Sequence, residues 1–155
     1  MDEAVVVTTR PIVVPPAPAA SSPAAARTMR ANRRRDTQPE VALRRELWRR
    51  GHRYLVDATP AGTSRRRRAD VLLRGARIAV FVDGCFWHSC PQHLSVPKRN
   101  REWWEVKLAS VRERDARTDV ELRAAGWVPV RIWEHEEPRA AVDRLEVLLA
   151  SGRGR

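Results

Sequence analysis

Ala69-Asp-Val-Leu-Leu-Arg-Gly-Ala-Arg-Ile-Ala-Val-Phe-Val-Asp83 reads as two apolar strands, Ala69–Leu73 and Arg77–Val82, joined by Arg74-Gly75-Ala76. So short a link makes a hairpin. In an antiparallel pair the start of one strand lies across from the end of the other. Asp70 is therefore expected beside Val82 and Asp83. The chain then continues without a break into Gly84-Cys-Phe-Trp-His-Ser-Cys-Pro-Gln-His93, which holds both cysteines and two of the four histidines. A packed core needs no such chemistry at a strand end.

On the N-terminal side of the hairpin, His52–Asp57 reads as a further strand. Thr37-Gln-Pro-Glu40 has the pattern of a capping box, with Thr37 as cap, Pro39 in the first turn and Glu40 reaching back. A helix should follow to about Arg50, with Val41, Leu43, Leu47 and Trp48 available for its buried side and Gly51 just past its end. Glu40 thus has a structural explanation before a catalytic one. On the C-terminal side, Asn100 is placed to cap a helix over 101–125. Trp104, Leu108, Val111 and Leu122 would face the core, with room for a bend near Asp115. Trp127–Trp133 reads as a strand that Pro129 confines to an edge or a bulge. Pro138 opens a last helix, with Val142, Leu145, Leu148 and Leu149 on one side and Gly152 at its end. The order α-β-β-β-α-β-α gives an α/β fold, a mixed central sheet flanked by helices. Residues 1–26, rich in Pro and Ala, are expected to form a disordered tail. Residues 27–151 form the folded domain, with 27–36 as a basic arm.

The chain has 155 residues, a net charge of +11 and a sequence pI near 11.4. One domain with a polyanionic partner, most simply nucleic acid, follows. The competing explanation is coding bias, since only Lys98 and Lys107 among the 30 basic residues are lysine. Arg65, Arg66, Arg67 and Arg68 repel one another unless anions are near, and phosphate contact is the expected use. Met29 sits among arginines in the arm. It is either a wedge for a minor groove or part of a solvated linker. No apolar run approaches the roughly 18 residues of a membrane span. The N-terminus lacks a signal-peptide pattern. A soluble cytoplasmic protein is expected, with its cysteines as ligands or free thiols.

Cys85, Cys90, His93 and His135 make a thiolate–imidazole set suited to tetrahedral Zn²⁺ with no open position, a structural site. His88 competes for a place in it. Asp70, a carboxylate at the edge of an apolar hairpin, suits a hard cation such as Mg²⁺. His88 is the candidate for proton transfer. Phe86 and Trp87 cannot both face one core from an extended chain. They are read as groups that push between base pairs, or else as a cover for the zinc.

Thr28-Met-Arg-Ala-Asn32, the R-D-T-x-x-E of Arg35–Glu40, Ala69-Asp-Val71, the F-V-D-G-C-F-W-H-x-C of Phe81–Cys90, the W-W-x-x-K of Trp103–Lys107 and the G-W-x-x-x-x-I-W-E of Gly126–Glu134 together resemble the very short patch repair (Vsr) DNA mismatch endonucleases. The resemblance implies a restriction-endonuclease-like (PD-(D/E)xK-type) core. It implies a Mg²⁺-dependent nick 5′ to the T of a T:G mismatch in double-stranded DNA, the lesion left when 5-methylcytosine deaminates. By position, Asp70 and the backbone carbonyl of Val82 would hold Mg²⁺, and His88 would be the catalytic histidine, with Glu40 supporting it or the metal-bound water. Phe86 and Trp87 would intercalate beside the mismatch, and Met29 would enter from the minor groove. Cys85, Cys90, His93 and His135 would hold Zn²⁺. A cytosine-5 DNA methyltransferase and mismatch-repair proteins become the expected functional partners, and a nucleoid-associated monomer the expected state. Where the restriction-enzyme pattern has a second acid and a Lys, this chain has Val82-Asp83-Gly84. Asp83 is then a further candidate metal ligand, and His88 carries more of the proton chemistry.

Overall fold

The computed structural model describes residues 10–31 and 35–152. The expectations for tail residues 1–9 and arm residues 32–34 lie outside them. Eight regular elements follow in order: α1 (Pro23–Ala31), α2 (Gln38–Arg49), β1 (Leu55–Ala58), β2 (Ala69–Leu73), β3 (Ile78–Asp83), α3 (Arg101–Ala124), β4 (Val128–Trp133) and α4 (Pro138–Gly152). The sheet order is β1-β2-β3-β4. The first two pairings are antiparallel and β3–β4 is parallel, so the sheet is mixed, as expected. β4 is an edge strand, which accommodates Pro129.

The hairpin closes through a short turn at Arg74–Ala76, and Arg77 takes a left-handed conformation at φ 53°. Its register pairs Val71 with Val80 and Leu73 with Ile78. A parallel β3–β4 pair requires a crossover, and α3 supplies it. Gly126 ends α3 at φ 79°. Its amide and that of Trp127 reach back to the Arg123 and Leu122 carbonyls, a glycine C-terminus that suits the left-handed turn.

Side chains alternate across the strands and so divide the core. Val71, Leu73, Ile78, Val80, Val130 and Ile132 pack with Leu43 and Leu47 of α2 and Val142 and Leu145 of α4. On the other side, Leu72 and Ala79 meet Leu122 and Trp127, with Phe81 against them. Leu47 is fully buried. Leu47→Ala is expected to destabilise the fold by about 2–5 kcal/mol, read as a lower urea midpoint at unchanged slope.

Four local expectations are corrected. α1 spans the expected border between tail and arm, beginning at Pro23. Trp48 is not on the buried side but 60% exposed. It lies one residue past Leu47, a rotation of about 100°, and Arg53 stacks on its ring at 4.3 Å. Asn100 makes no side-chain cap; it is left-handed at φ 57°, a conformation Asn tolerates. Thr37 caps no helix amide with its side chain. Its hydroxyl donates to Glu40 Oε1 (2.9 Å), and Glu40 Oε2 accepts the amide of Asp36 (2.8 Å), one residue before the expected partner. Residues 10–22 lie along α3. The Ile12 amide donates to Glu113 (2.8 Å) and the Trp103 indole N–H donates to the Pro15 carbonyl (3.0 Å).

Candidate active site

Because β3 and β4 run parallel with Asp83 opposite Trp133, everything that follows each strand emerges at the same end of the sheet. That geometry assembles the site. Beside it lies a cleft of about 760 Å³, lined by Asp70, Val82, Glu40 and His88 among others.

Asp70 sits where the hairpin predicted. Its Oδ2 accepts the Val82 amide at 2.7 Å. Burial pushes this carboxyl up to about 6, and the charges of Glu40, Asp83 and Asp57 add to the push against the amide's opposite pull. An acid desolvated among other acids, with one amide donor, is restored to its charged form most strongly by a nearby cation, so the donor chemistry fits a hard divalent ion. Glu40 lines the same cleft but is 7% exposed. Both its oxygens serve the turn before α2.

His88 Nδ1 lies 2.6 Å from Asp115 Oδ2 and 3.5 Å from Asp83 Oδ1. A proton held on Nδ1 by a carboxylate leaves Nε2 as the exchanging nitrogen. Burial alone would raise Asp115, but the hydrogen bond to His88 and the charges of His88, Arg131 and Arg114 hold it below the usual range. Asp83 is raised, because burial outweighs His88 and Arg131. Asp83 faces α3, on the side of Ala79 and Phe81, and Arg131 Nη1 donates to both its oxygens at 3.1 Å. Sequence reasoning noted Asp115 only as a place for α3 to bend and passed over Arg131 and Asp119. The one local signal was that Asp115 follows Val111 at helical spacing on the face that buries Thr118 and Leu122.

The loop after β3 folds on itself, with the Cys90 amide donating to the Cys85 carbonyl at 2.8 Å. Ser89 is left-handed at φ 58°. Cys85 Sγ lies 3.1 Å from His135 Nδ1 and 3.8 Å from His93 Nδ1, and Cys90 Sγ lies 3.8 and 3.6 Å from the same two atoms. A tetrahedral ion with metal–S near 2.3 Å and metal–N near 2.05 Å places S and N about 3.6 Å apart. The four donors therefore fit such an ion. Burial, Cys90 and Glu134 push the Cys85 thiol up to about 11, so two thiolates here need a metal to be stable. Glu134 Oε1 accepts the Cys85 amide at 2.7 Å. His88 is not in this set and lies with Asp83 and Asp115 instead.

Phe86 and Trp87 are half-buried and pack against each other and against Trp104 of α3, with centroids 5.2, 5.2 and 5.9 Å apart. The sequence reading placed Trp104 in the core, whereas it packs against the Phe86 and Trp87 rings that line the cleft. Met29, 45% exposed on α1, lines the cleft too. Arg66, Arg67 and Arg68 line it as well, and Arg65 is exposed outside. Arg67 pairs with Glu121 at 2.7 Å and Arg68 with Asp57 at 2.7 Å. Among the described residues no helix is long and apolar enough to cross a membrane.

The family model described as DNA mismatch endonuclease Vsr matches residues 22–93. That stretch carries Asp70, His88 and three of the four Cys/His donors, but not α3 or β4. Similarity to whole relatives extends further. The chain is 42% identical to type II nicking enzyme V.NaeI of Lentzea aerocolonigenes over 126 residues, 81% of this chain and 76% of that one. It is 34% identical to type II nicking enzyme V.NmeAIP of Neisseria meningitidis, covering 71% of this chain and 76% of the relative. To DNA mismatch endonuclease Vsr of Escherichia coli it is 34% identical, covering 70% and 67%. With the expected mixed sheet and these relatives in agreement, the chain belongs to the Vsr family of DNA mismatch endonucleases.

Proposed function

We propose that this protein nicks double-stranded DNA at T:G mismatches, on the 5′ side of the T, by Mg²⁺-dependent phosphodiester hydrolysis. One observation carries the reading: a desolvated carboxylate, Asp70, and a carboxylate-held histidine, His88, share a cleft bordered by an exposed Met29 and by Phe86 and Trp87, which Trp104 packs against. Apolar wedges at a cleft rim suit an enzyme that unstacks bases, and a mismatch is the cheapest place to do so. Asp70 and the Val82 carbonyl would hold Mg²⁺. The ion would supply charge to the scissile phosphate and lower the pKa of a water. His88 moves a proton at Nε2 as the new P–O bond forms and the old one breaks, while Asp115 keeps its ring aimed. Glu40 supports the turn beside Asp70. Arg65, Arg66, Arg67 and Arg68 lie along phosphates, exchanging Asp57 and Glu121 for them.

Zn²⁺ is the ion that best suits Cys85, Cys90, His93 and His135. It would fix the loop carrying Phe86, Trp87 and His88 to the end of β4. Since T:G mismatches of this origin require 5-methylcytosine, the functional partner is a cytosine-5 DNA methyltransferase, with mismatch-repair proteins acting at the nick. The protein acts as a nucleoid-associated monomer, with residues 27–36 as its DNA arm.

Two relatives are named type II nicking enzymes, with no mismatch in the name, which leaves a second reading, nicking of matched DNA. The two separate on duplexes differing only in one T:G pair, tested in several 5-methylcytosine contexts with Mg²⁺. Nicking at least 100-fold faster on the mismatch is expected. Equal rates on both duplexes would leave only the matched-DNA reading.

A further inference from the structure

We infer that Arg131 is a positioning residue for His88, a built-in cation that fixes the carboxylates around the imidazole; the inference rests on the nicking activity proposed above. Arg131 stands opposite Phe81 in the parallel pair, and its guanidinium lies over the Phe81 ring at 4.9 Å. From there its fork reaches into α3. Nη1 donates to both Asp83 oxygens (3.1 Å each), Nη2 to Asp119 Oδ1 (2.9 Å) and the Asp115 carbonyl (3.3 Å), and Nε to Asp119 (3.2 Å). Asp115 and Asp119 are one helical turn apart, so one guanidinium grips the helix at both.

The consequence concerns His88. Two carboxylates face its Nδ1, Asp115 at 2.6 Å and Asp83 at 3.5 Å. Either one can orient the ring, but they would aim it differently. Arg131 decides between them. It holds both oxygens of Asp83 at the end of β3 and leaves Asp115 Oδ2 free for the imidazole, since its Nη1 is 3.9 Å from the other Asp115 oxygen. The His88 loop contains turns only, so its ring direction depends on such contacts. Asp83, His88 and Asp115 also have the spacing of a cation site, and the guanidinium stands at that cluster as a fixed cation. A replacement that filled the same space without charge would leave Asp83 uncompensated and free to take His88.

The test compares Arg131→Met, Arg131→Lys and Asp119→Asn with the zinc-loaded wild type. Arg131→Met is expected to lower kcat for nicking roughly 100-fold while KM for the duplex stays within about twofold of its value, as for lost orientation rather than lost binding. Arg131→Lys keeps charge but not the fork and should fall between. Asp119→Asn loosens the grip on α3 while leaving Arg131 in place, and should give a smaller loss in the same direction. In an Asp115→Asn background the Arg131→Met effect should vanish, because the two act through one hydrogen bond. The imidazole ¹H–¹⁵N spectrum of His88, taken without DNA or Mg²⁺, should show the hydrogen-bonded Nδ1–H signal moved to a new position in Arg131→Met, as Asp83 replaces Asp115 as its acceptor. An unchanged His88 signal, or a loss confined to KM, overturns the inference. If the wild type nicks no mismatched duplex yet the His88 signal responds to Arg131, the substrate reading fails and the positioning role stands.

Discussion

Asp70→Asn is expected to stop nicking, by 10³-fold or more, and at the same time to make the metal-free protein more stable at pH 8. The first effect follows if Asp70 holds the ion that bears the charge of the transition state. Losing about 4 kcal/mol of that stabilisation is about 10³-fold in rate. The second follows from burial. The carboxyl rises from 3.8 to about 6 in the folded protein. Above about pH 6 it is ionised in both the folded and unfolded states, and the folded state bears the whole desolvation cost. Below about pH 3.8 it is neutral in both, and there is no cost. Asn keeps an oxygen for the Val82 amide and carries no charge. Its advantage is therefore present at pH 8, shrinks through the window from 6 to 4, and is gone below it. The shift bounds the gain at roughly 3 kcal/mol. Urea melts of both proteins at pH 8 and pH 4, with and without Mg²⁺, read all of this. Mg²⁺ should stabilise the wild type and leave the Asn variant unmoved. A variant that nicks within tenfold of wild type removes Asp70 from the chemistry. Equal stabilities at both pH values would show that its charge is not buried.

That a single residue can carry opposite effects on rate and stability explains why it was legible in sequence. Asp70 breaks the apolar pattern of a hairpin whose partner strand is only a short turn away, so its neighbours at Val82 and Asp83 follow from local rules. The Cys/His set was legible for a different reason. Thiolates and imidazoles are rare here, and the parallel register then carries His135 to Cys85. Arg131 and Asp115 were not legible, because their partners depend on how α3 crosses the sheet. Arg131 looks like any outward residue of an edge strand until Asp83, Asp115 and Asp119 are seen around it. Trp104 was misread for the same reason. Its helix face points to the core, but at the N-terminal end of α3 its partners are Phe86 and Trp87 of the loop after β3. Asn100 and Thr37 failed at the level of single hydrogen bonds, where the pattern of a cap did not fix which amide the side chain meets. The element order from α2 onward survived these misreadings, because hydrophobic alternation and the turn residues act over longer stretches than any one cap.

Cys90→Ser is the variant expected to damage the fold and the chemistry together. Cys90 is fully buried, and its sulfur stands within 3.6–3.8 Å of both imidazoles of the set. A serine hydroxyl is a poor ligand for Zn²⁺, so the ion should be lost. Two things then follow from position rather than from reactivity. Cys85 and His135 no longer tie the loop after β3 to the end of β4, and the loop keeps its own turns, the Glu134 contact and its contacts to α3 through Phe86, Trp87, His88 and Ser89. Phe86, Trp87 and His88 all ride on that loop. Nicking should fall by at least 100-fold, since a displacement of about 1 Å at a reacting group already costs that much. Stability should fall by several kcal/mol, because metal binding free energy is folding free energy when the site forms only in the native state. Elemental analysis is expected to give one zinc per wild-type chain and none in the variant. Stripping wild type with a chelator should reproduce the loss, Zn²⁺ but not Mg²⁺ should reverse it, and neither ion should rescue Cys90→Ser. Asp70→Asn must by contrast retain its zinc. A Cys90→Ser protein that melts with wild type and still nicks would mean that the four side chains meet without holding an ion, and that the loop is fixed by its protein contacts alone.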